Sequence, residues 1–392
     1  MNPYAAQNLS PVDYRLSTVL LANYRNYPSL TLDTGGQSVV LTGQNGAGKT
    51  NILEAISLFA PGRGLRGAAI GELPYSIKSP PPLGGGWEGA PPCPSPLDWS
   101  IVIDLLTPHT THRLGTGVTE AGQKNRAILA DGNPLPQTQL ADYLTIAWAT
   151  PDMDALWRES SSARRKFLDR LVYALFPAHW AALTRMEKHR LERARLLEMG
   201  RLDDRWCDAV ELGLARAMQE VGQNRRAYID ALGAAMAEFH GDFPRIALAL
   251  QSNITPDMDA AAIQTQLQAH RSGDAASGMC RFGANRDDLG AEFMPKSRPV
   301  NGCSTGEQKM ALLSILLAHA GLLRTRQNRP PILLLDEIAA HLDDRHRTAL
   351  ARQIQALNAQ AFLTGADASL FTDWQGQAGF WVVQNHTVQN QQ

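Results

Sequence analysis

The chain has 392 residues, 44% hydrophobic and 19% charged, enough for about two domains with buried cores. Its formal net charge of -1 excludes a global basic field for nucleic acid, so any polyanion binding has to come from a local patch. No apolar run approaches the roughly 20 residues that span a bilayer, the start Met1-Asn2-Pro3-Tyr4 lacks the layout of a signal peptide, and Cys93, Cys207, Cys280 and Cys303 form no CxxC pair, which argues against a zinc site or disulfide framework. A cytoplasmic protein with reduced thiols and no membrane partner is expected.

In chain order, apolar residues two apart (Tyr14 with Leu16, Val19 with Leu21, Leu30 with Leu32) predict two strands, with Pro28 read as the turn between them. A buried strand, Ser38-Val39-Val40-Leu41, then leads into Gly43-Gln44-Asn45-Gly46-Ala47-Gly48-Lys49-Thr50, a complete P-loop. Its glycines let backbone amides close around phosphates, Lys49 reaches the β/γ-phosphates, Thr50 Oγ1 can ligate Mg²⁺, and Asn51 to Ile56 begins a helix whose positive end faces the anion.

Prolines and glycines crowd the stretch between Leu73 and Trp99, a composition neither helix nor central strand tolerates, so a surface insertion is expected. Strand-like segments at Trp99–Asp104, Arg126–Leu129 and Leu144–Trp148, with a turn at Asp131-Gly132-Asn133-Pro134, predict an antiparallel sheet beside the nucleotide core. From Met153 to about His240 the composition and the spacing of Phe167, Leu171, Leu175 and Leu183 predict a helical lobe no longer than a short hairpin. Between Arg158 and Arg201 there are eleven Lys/Arg and five Asp/Glu. This basic stretch reads equally as a solvated face laced with ion pairs or as a DNA-contacting face.

Cys303-Ser304-Thr305-Gly306-Glu307-Gln308-Lys309 opens an apolar helix, and a hydroxyl, a flexible glycine and helix N-terminal amides again suit a phosphate. One nucleotide rarely needs two cradles, so the second is expected to cap the γ-phosphate held by another subunit. Pro331-Ile332-Leu333-Leu334-Leu335-Asp336-Glu337 is a fully buried strand presenting acids at its carboxyl end, where ligand sites of open α/β sheets lie. A turn at Asp343, a helix carrying Arg345, Arg347 and Arg352, and the strand Ala361–Gly365 follow.

This order of P-loop, signature turn, acidic strand and Asp343 turn resembles ABC-type ATPases. In detail it resembles the RecF family of bacterial DNA gap-repair ATPases, related to SMC proteins, through Asn23-Tyr24-Arg25-Asn26-Tyr27, Gly62-Arg63-Gly64-Leu65-Arg66, Arg164-Arg165-Lys166-Phe167-Leu168-Asp169, Arg286-Asp287-Asp288-Leu289, Ser304 to Lys309, and Asp336-Glu337-Ile338-Ala339-Ala340-His341-Leu342-Asp343. The Pro/Gly insertion and Ala284-Asn285, where the family tends to have Pro-His, depart from the pattern.

The resemblance implies an α/β fold: an ABC-type ATPase head with a mixed sheet, flanking helices and an antiparallel part, plus a short helical lobe. Residues 1–150 and 280–392 would build the head and 151–279 the lobe. It implies that ATP with Mg²⁺ joins two heads into a homodimer, Ser304 and Gly306 of one subunit, with Glu307 and Gln308, meeting the nucleotide held by Lys49 of the other, and Asp343 contributing at the joint. Asp336 would support Mg²⁺ and Glu337 would orient or deprotonate the attacking water. Where transporter subunits carry a switch histidine, Gly365 follows Thr364, so slow turnover is expected. The implied partners are duplex DNA near a single-strand gap, RecR and RecO, in repair, replication restart and the SOS response, with Arg164, Arg165, Arg190 and Arg193 as candidate DNA contacts. An SMC-like ATPase serving a nuclease or defence system, and an ABC transporter subunit, are the alternatives. The ABC Q-loop glutamine has no clear counterpart; Asp152 could replace it or cap a helix.

Overall fold

The computed structural model describes residues 14–75, 99–118, 125–200, 204–238, 241–384 and 386–391. The first four residues, Cys93 and the body of the Pro/Gly insertion lie outside them. The chain begins with β1 (Arg15–Tyr24), β2 (Tyr27–Asp33), β3 (Ser38–Thr42), α1 (Lys49–Ser57), β4 (Trp99–Leu106), β5 (Thr111–Val118), β6 (Ala127–Ala130), β7 (Asn133–Pro134), α2 (Leu140–Tyr143) and β8 (Ile146–Ala149). It continues through α3 (Ser161–Leu175), α4 (Ala178–Glu198), α5 (Asp204–Ala237), β9 (Ile246–Gln251), α6 (Ala260–Ala269), α7 (Arg271–Ser277), β10 (Asp288–Phe293), β11 (Arg298–Pro299) and α8 (Thr305–Gln327). It ends with β12 (Ile332–Leu335), α9 (Asp344–Ala356), β13 (Ala361–Gly365), β14 (Ala378–Gln384) and β15 (Thr387–Gln391). Two units result, Met1–Pro151 with Leu323–Gln392, and Asp152–Leu322.

The first unit holds a six-stranded sheet in the order β15-β14-β3-β13-β12-β8, parallel except for the β14–β15 hairpin. Every residue of β3, β8, β12 and β13 is buried. A parallel sheet covered on both faces needs continuous rather than alternating hydrophobicity, which is why Leu333-Leu334-Leu335 reads as an unbroken run. β13 lies between β3 and β12, so the carboxyl ends of these three strands are neighbours.

A second sheet of this unit is antiparallel, in the order β2-β1-β4-β5-β6-β7. A register shift between Leu16 and Thr18 against β4 explains why the buried set steps by three from Leu16 to Val19 before the two-residue step to Leu21. Pro28 is not the turn. It sits inside β2, an edge strand that needs no proline amide, while the reversal is made by Arg25 and Asn26, with Asn23 and Arg25 at φ 51° and 54°. Asp131 and Gly132, both at positive φ, form the turn between β6 and β7 as the sequence predicts. Leu144–Trp148 does not join this sheet. β8 pairs in parallel with β12, and its place beside β4 and β6 is taken by β5, whose Gly115 and Gly117 weaken the strand signal.

In the second unit, α3, α4 and the 34-residue α5, about 50 Å long at 1.5 Å per residue, form the expected helical lobe. Met186 of α4, Leu214, Met218 and Val221 of α5, Ile263 and Leu267 of α6, and Phe282 close one core. β10 pairs with β9 and β11, so residues 280–322 group with this unit in the contacts of the fold. Asp152 lies exposed inside the 3-10 turn Pro151–Ala155 and does not cap a long helix.

Two buried arginines brace this unit. Arg193, 1% exposed, donates to Glu211 (2.8 Å), Asp274 (2.7 Å) and the Leu267 carbonyl (2.7 Å). Arg225, equally buried, grips Asp169 with Nε and Nη2 (2.8 and 2.9 Å) and reaches Asp287 (2.7 Å) and the Ala284 carbonyl (2.6 Å) with Nη1. Burial pushes the Asp169 carboxyl up, but Arg225 and His179 more than offset this and hold it below its ordinary value. A depressed carboxylate contributes stability above its unfolded pKa of about 4 and loses it as pH falls through the folded value. Burial raises the Asp287 carboxyl in the same network and opposes this, so the Asp169 contribution is isolated by comparison: Asp169→Asn should flatten the fall of the urea midpoint below about pH 4. Arg225→Met, which strands two carboxylates, should cost about 3–5 kcal/mol at neutral pH.

Candidate nucleotide-binding site

β3 delivers the chain at Thr42 into the glycine loop. Gly43, Gly46 and Gly48 have φ of 143°, 81° and 113°, which side-chain-bearing residues rarely adopt. A Cβ on Gly43 would stand 2.3 Å from the Val383 carbonyl of β14, and one on Gly48 2.3 Å from Asn26 Nδ2 and 2.6 Å from the Tyr27 hydroxyl. The Ala47 amide donates to the Gln44 carbonyl (3.2 Å). α1 starts at Lys49 with Gly48 as an N-cap that offers no side-chain acceptor; the Asn51 amide turns back to the Gly48 carbonyl (3.0 Å), and the amides ahead of it face the helix N-terminus, where an anion is favoured.

The Asn23–Tyr27 turn braces this loop. Asn26 Nδ2 donates to the Ala47 carbonyl (3.2 Å), Asn51 Nδ2 donates to Asn26 Oδ1 (2.6 Å), and Arg66 donates to Asn51 Oδ1 (2.8 Å). Arg25 holds the fully buried Glu54 of α1 through Nε (2.8 Å) and Nη2 (2.5 Å). The motif residues before and after the P-loop thus fix α1 and the loop.

Lys49, 4% exposed, donates from Nζ to the Gly43 (2.6 Å) and Gln44 (3.1 Å) carbonyls and lies 3.5 Å from Glu337 Oε1. Thr50 Oγ1 is 3.0 and 3.1 Å from the two carboxylate oxygens of Asp336. Asp336 is 5% exposed, and burial raises its pKa against the opposing pull of the Thr364 and Thr50 hydroxyls. No Lys or Arg pairs with it among the described residues. A buried carboxylate served only by hydroxyls fits a divalent cation, and among the described residues no group of three His, Cys, Asp or Glu competes for one. Mg²⁺ suits such a sparse protein set because it takes its remaining ligands from phosphates and water.

Thr364, at the end of β13 and fully buried, was invisible as a site residue in the sequence. Its Oγ1 donates to Asp336 Oδ1 (2.7 Å) and accepts the Glu337 amide (2.9 Å). Glu337 has φ 54°, a left-handed conformation costing roughly 1–2 kcal/mol for a residue with a Cβ. At Gly365 a Cβ would meet the Phe371 ring at 2.6 Å, so no side chain fits where transporter subunits place their histidine.

The signature turn belongs to the second unit. Ser304, Thr305 and Gly306 are exposed, and Ser304 and Glu307 form a capping box: Glu307 Oε2 accepts the Ser304 amide (2.9 Å) and hydroxyl (3.0 Å), and the Glu307 amide reaches Ser304 Oγ (3.4 Å). Lys296 and Arg298 pair with the same carboxylate, and the Lys296 bond and the cap hold its pKa down to about 2. Gln308 is buried and donates to the Cys303 carbonyl (2.9 Å). Glu307 and Gln308 therefore shape the turn, leaving Ser304 and Gly306 as its open face. Asp343 caps α9 by accepting the His346 amide (2.8 Å).

Of the four arginines expected to meet DNA, Arg193 is corrected to a core strut, since it is buried among two carboxylates and a carbonyl. Arg164 is held bidentately by Asp288 (2.7 Å twice), Arg165 donates to the Asp287 carbonyl (2.7 Å), and Arg190 pairs with Glu187 three residues away. The basic count of this stretch is largely consumed internally.

Gly46 has nothing within 4 Å of where a Cβ would stand, whereas Gly48 has two polar atoms under 3 Å. Both substitutions by alanine carry the positive-φ penalty, so each should lower stability by about 1 kcal/mol, and Gly48→Ala should be measurably worse than Gly46→Ala in a denaturant titration.

No protein-family model matches the chain. It is 37% identical over 389 residues, 96% of its own length and 98% of the relative's, to the DNA replication and repair protein RecF of Mesorhizobium japonicum. To RecF of a Caulobacter species (strain K31) it is 40% identical over 385 residues, covering 93% and 95% of the two chains. Its fold matches a solved structure of the recombination mediator protein RecF-ATP in the RecFOR pathway with a TM-score of 0.79 at 19% identity, over 97% of this chain and all of that one. It matches an Smc head domain from Pyrococcus furiosus with a TM-score of 0.53 at 16% identity, over 96% of each chain. The α/β fold read from the sequence is thus that of RecF and SMC-type ATPase heads. Related at more than a third identity along nearly its whole length, the chain belongs to the RecF family of DNA replication and repair proteins.

Proposed function

We propose that this chain is a slow, cytoplasmic ATPase that binds ATP with Mg²⁺, closes into a homodimer on duplex DNA next to a single-strand gap, and acts with RecO and RecR in recombinational repair, replication restart and the SOS response. The observation that carries the reading is the convergence of Lys49, Thr50, Asp336 and Glu337 at one sheet edge. The RecFOR pathway named for the solved RecF supports the partners. No helix among the described residues is long and apolar enough to cross a membrane, and the family match favours DNA repair over the transporter and nuclease-linked alternatives.

In this scheme the P-loop amides and Lys49 hold the β- and γ-phosphates, and Thr50 and Asp336 would hold Mg²⁺, which would supply positive charge against the phosphates. Glu337 takes the proton from water as its oxygen attacks the γ-phosphorus, and the bond to the β,γ-bridging oxygen breaks to leave ADP and phosphate. Ser304 and Gly306 of a second copy close the site from outside, so the head is completed by signature residues from the partner. Asp343, capping α9, shapes the turn at that joint.

DNA contacts fall to side chains of α4 that remain exposed. Lys188 and Arg195 are exposed seven residues apart along one helix face, in place of the buried Arg193, whereas the exposed Arg185 is paired with Glu220. Binding through phosphates weakens steeply with salt, and Lys188→Ala and Arg195→Ala should each reduce the salt slope by about 1.

Lys49→Arg should impair ATP-dependent dimerisation, and Glu337→Gln should retain ATP binding while lowering kcat by about 10²–10⁴. Light scattering with and without ATP, together with a mobility shift on gapped, duplex and single-stranded DNA, provides the test. Unchanged dimerisation and hydrolysis in both variants, or no ATP-dependent DNA binding, would overturn the proposal.

A further inference from the structure

We infer that Thr364 is a positioning residue for hydrolysis, acting through Glu337; the inference rests on the ATPase reading above. One hydroxyl serves two neighbours. Its proton goes to Asp336 Oδ1 at 2.7 Å, and its lone pair takes the Glu337 amide at 2.9 Å. Asp336 in turn receives Thr50 at 3.0 Å. A continuous chain therefore runs from Thr50, which would face the cation, through Asp336 and Thr364, to the backbone of Glu337, the residue that would take the water's proton.

The direction of the hydrogen bonds matters. Because ionised Asp336 can only accept, the Thr364 proton is committed to it and the oxygen is left as an acceptor. The Glu337 amide is the donor that meets it. That amide belongs to a residue with φ 54°, a conformation that persists only where its surroundings over-determine it. Without the hydroxyl, Glu337 is free to relax toward the right-handed region, which re-aims a carboxylate that now stands 3.5 Å from Lys49 Nζ.

The fold also explains why the residue is a threonine and where it sits. β13 lies between β3 and β12, with Leu335 opposite Leu363 and Thr364 opposite Leu41. The last buried side chain of the middle strand is thereby the one group level with both the P-loop and the acidic pair. Thr364 is fully buried, so its hydroxyl is reserved for these two neighbours.

The test compares kcat and KM for ATP in the full-length protein, Thr364→Val, Thr364→Ser, Glu337→Gln and the Val/Gln double variant, with binding of a fluorescent ATP analogue as the check on folding. Thr364→Val should lower kcat about tenfold with KM for ATP within about threefold, the pattern of an interaction used in the transition state. Thr364→Ser should restore most of the rate. In the Glu337→Gln background Thr364→Val should add nothing, because the two act on one step. If Thr364→Val does not bind the analogue, Thr364→Ala, which removes the hydroxyl without added bulk, carries the same comparison. Wild-type kcat in Thr364→Val or Thr364→Ala, a serine variant as slow as the valine one, or an undiminished effect in the double variant overturns the inference. Failure of the wild type to hydrolyse ATP, or full activity in Glu337→Gln, would instead count against the ATPase reading itself.

Discussion

Asp336 ends a strand that is buried on both faces, and a carboxylate there is tolerable only because hydroxyls from two other elements donate to it. Thr50 comes from the first turn of α1, which follows β3, and Thr364 from β13, which pairs with β12 on one side and β3 on the other, so this sheet order brings both hydroxyls to the end of β12. The sheet order is therefore a constraint on chemistry as much as on packing. The continuous apolar runs of the parallel strands secure the order by burying it from both sides, and the polar ends then meet at one edge. The same arrangement leaves Asp336 without a cationic partner among the described residues, which is what a site prepared for a divalent cation requires.

Much of this was legible because its signals are local. The P-loop, the acidic strand and the signature turn each depend on a short run of residues whose backbone demands follow from their type, as the three positive-φ glycines show. What escaped depends on pairing partners distant in sequence. β8 is expected from its sequence in the antiparallel sheet but joins the parallel one because Ile332 to Leu335 pair with it. Thr364 looks like any strand threonine until Asp336, 28 residues earlier, is set beside it. Pro28 illustrates the opposite error: a turn-forming residue sits within a strand because that strand is an edge, and edge status is a tertiary property.

Counting charges leaves two readings open in the helical lobe for a related reason. The excess of basic residues between Arg158 and Arg201 invites a polyanion reading, yet Arg193 sits in the core, and its acidic partners Glu211 and Asp274 come from outside that window. Arg225, also outside it, binds Asp169 from inside. Buried ion networks link distant segments, so a window that sees one partner misjudges the net field. Their desolvation penalty makes them poor sources of stability in comparison with apolar packing, whereas loss of one member is severe. They are better understood as fixing which segments of the unit must meet, since Arg193 ties together groups from three places in the chain and Arg225 joins Asp169 to the 284–287 segment.

The signature turn carries the last consequence of this logic. A helix N-terminus with free amides attracts anions, but here Glu307 supplies an internal anion, and Lys296 and Arg298 neutralise it in turn. The turn is thus ordered without a ligand, and its local field is largely cancelled. An isolated phosphate gains little from such a surface, because the strongest donors around Ser304 are already engaged. Under the proposed scheme, a γ-phosphate already held by Lys49 and the P-loop of another copy would arrive at high effective concentration and oriented, so that weak additional donors from Ser304 and Gly306 would suffice. Under the proposed scheme, a self-capped signature makes dimer closure depend on prior nucleotide binding in the partner site, which is the property a clamp on DNA needs.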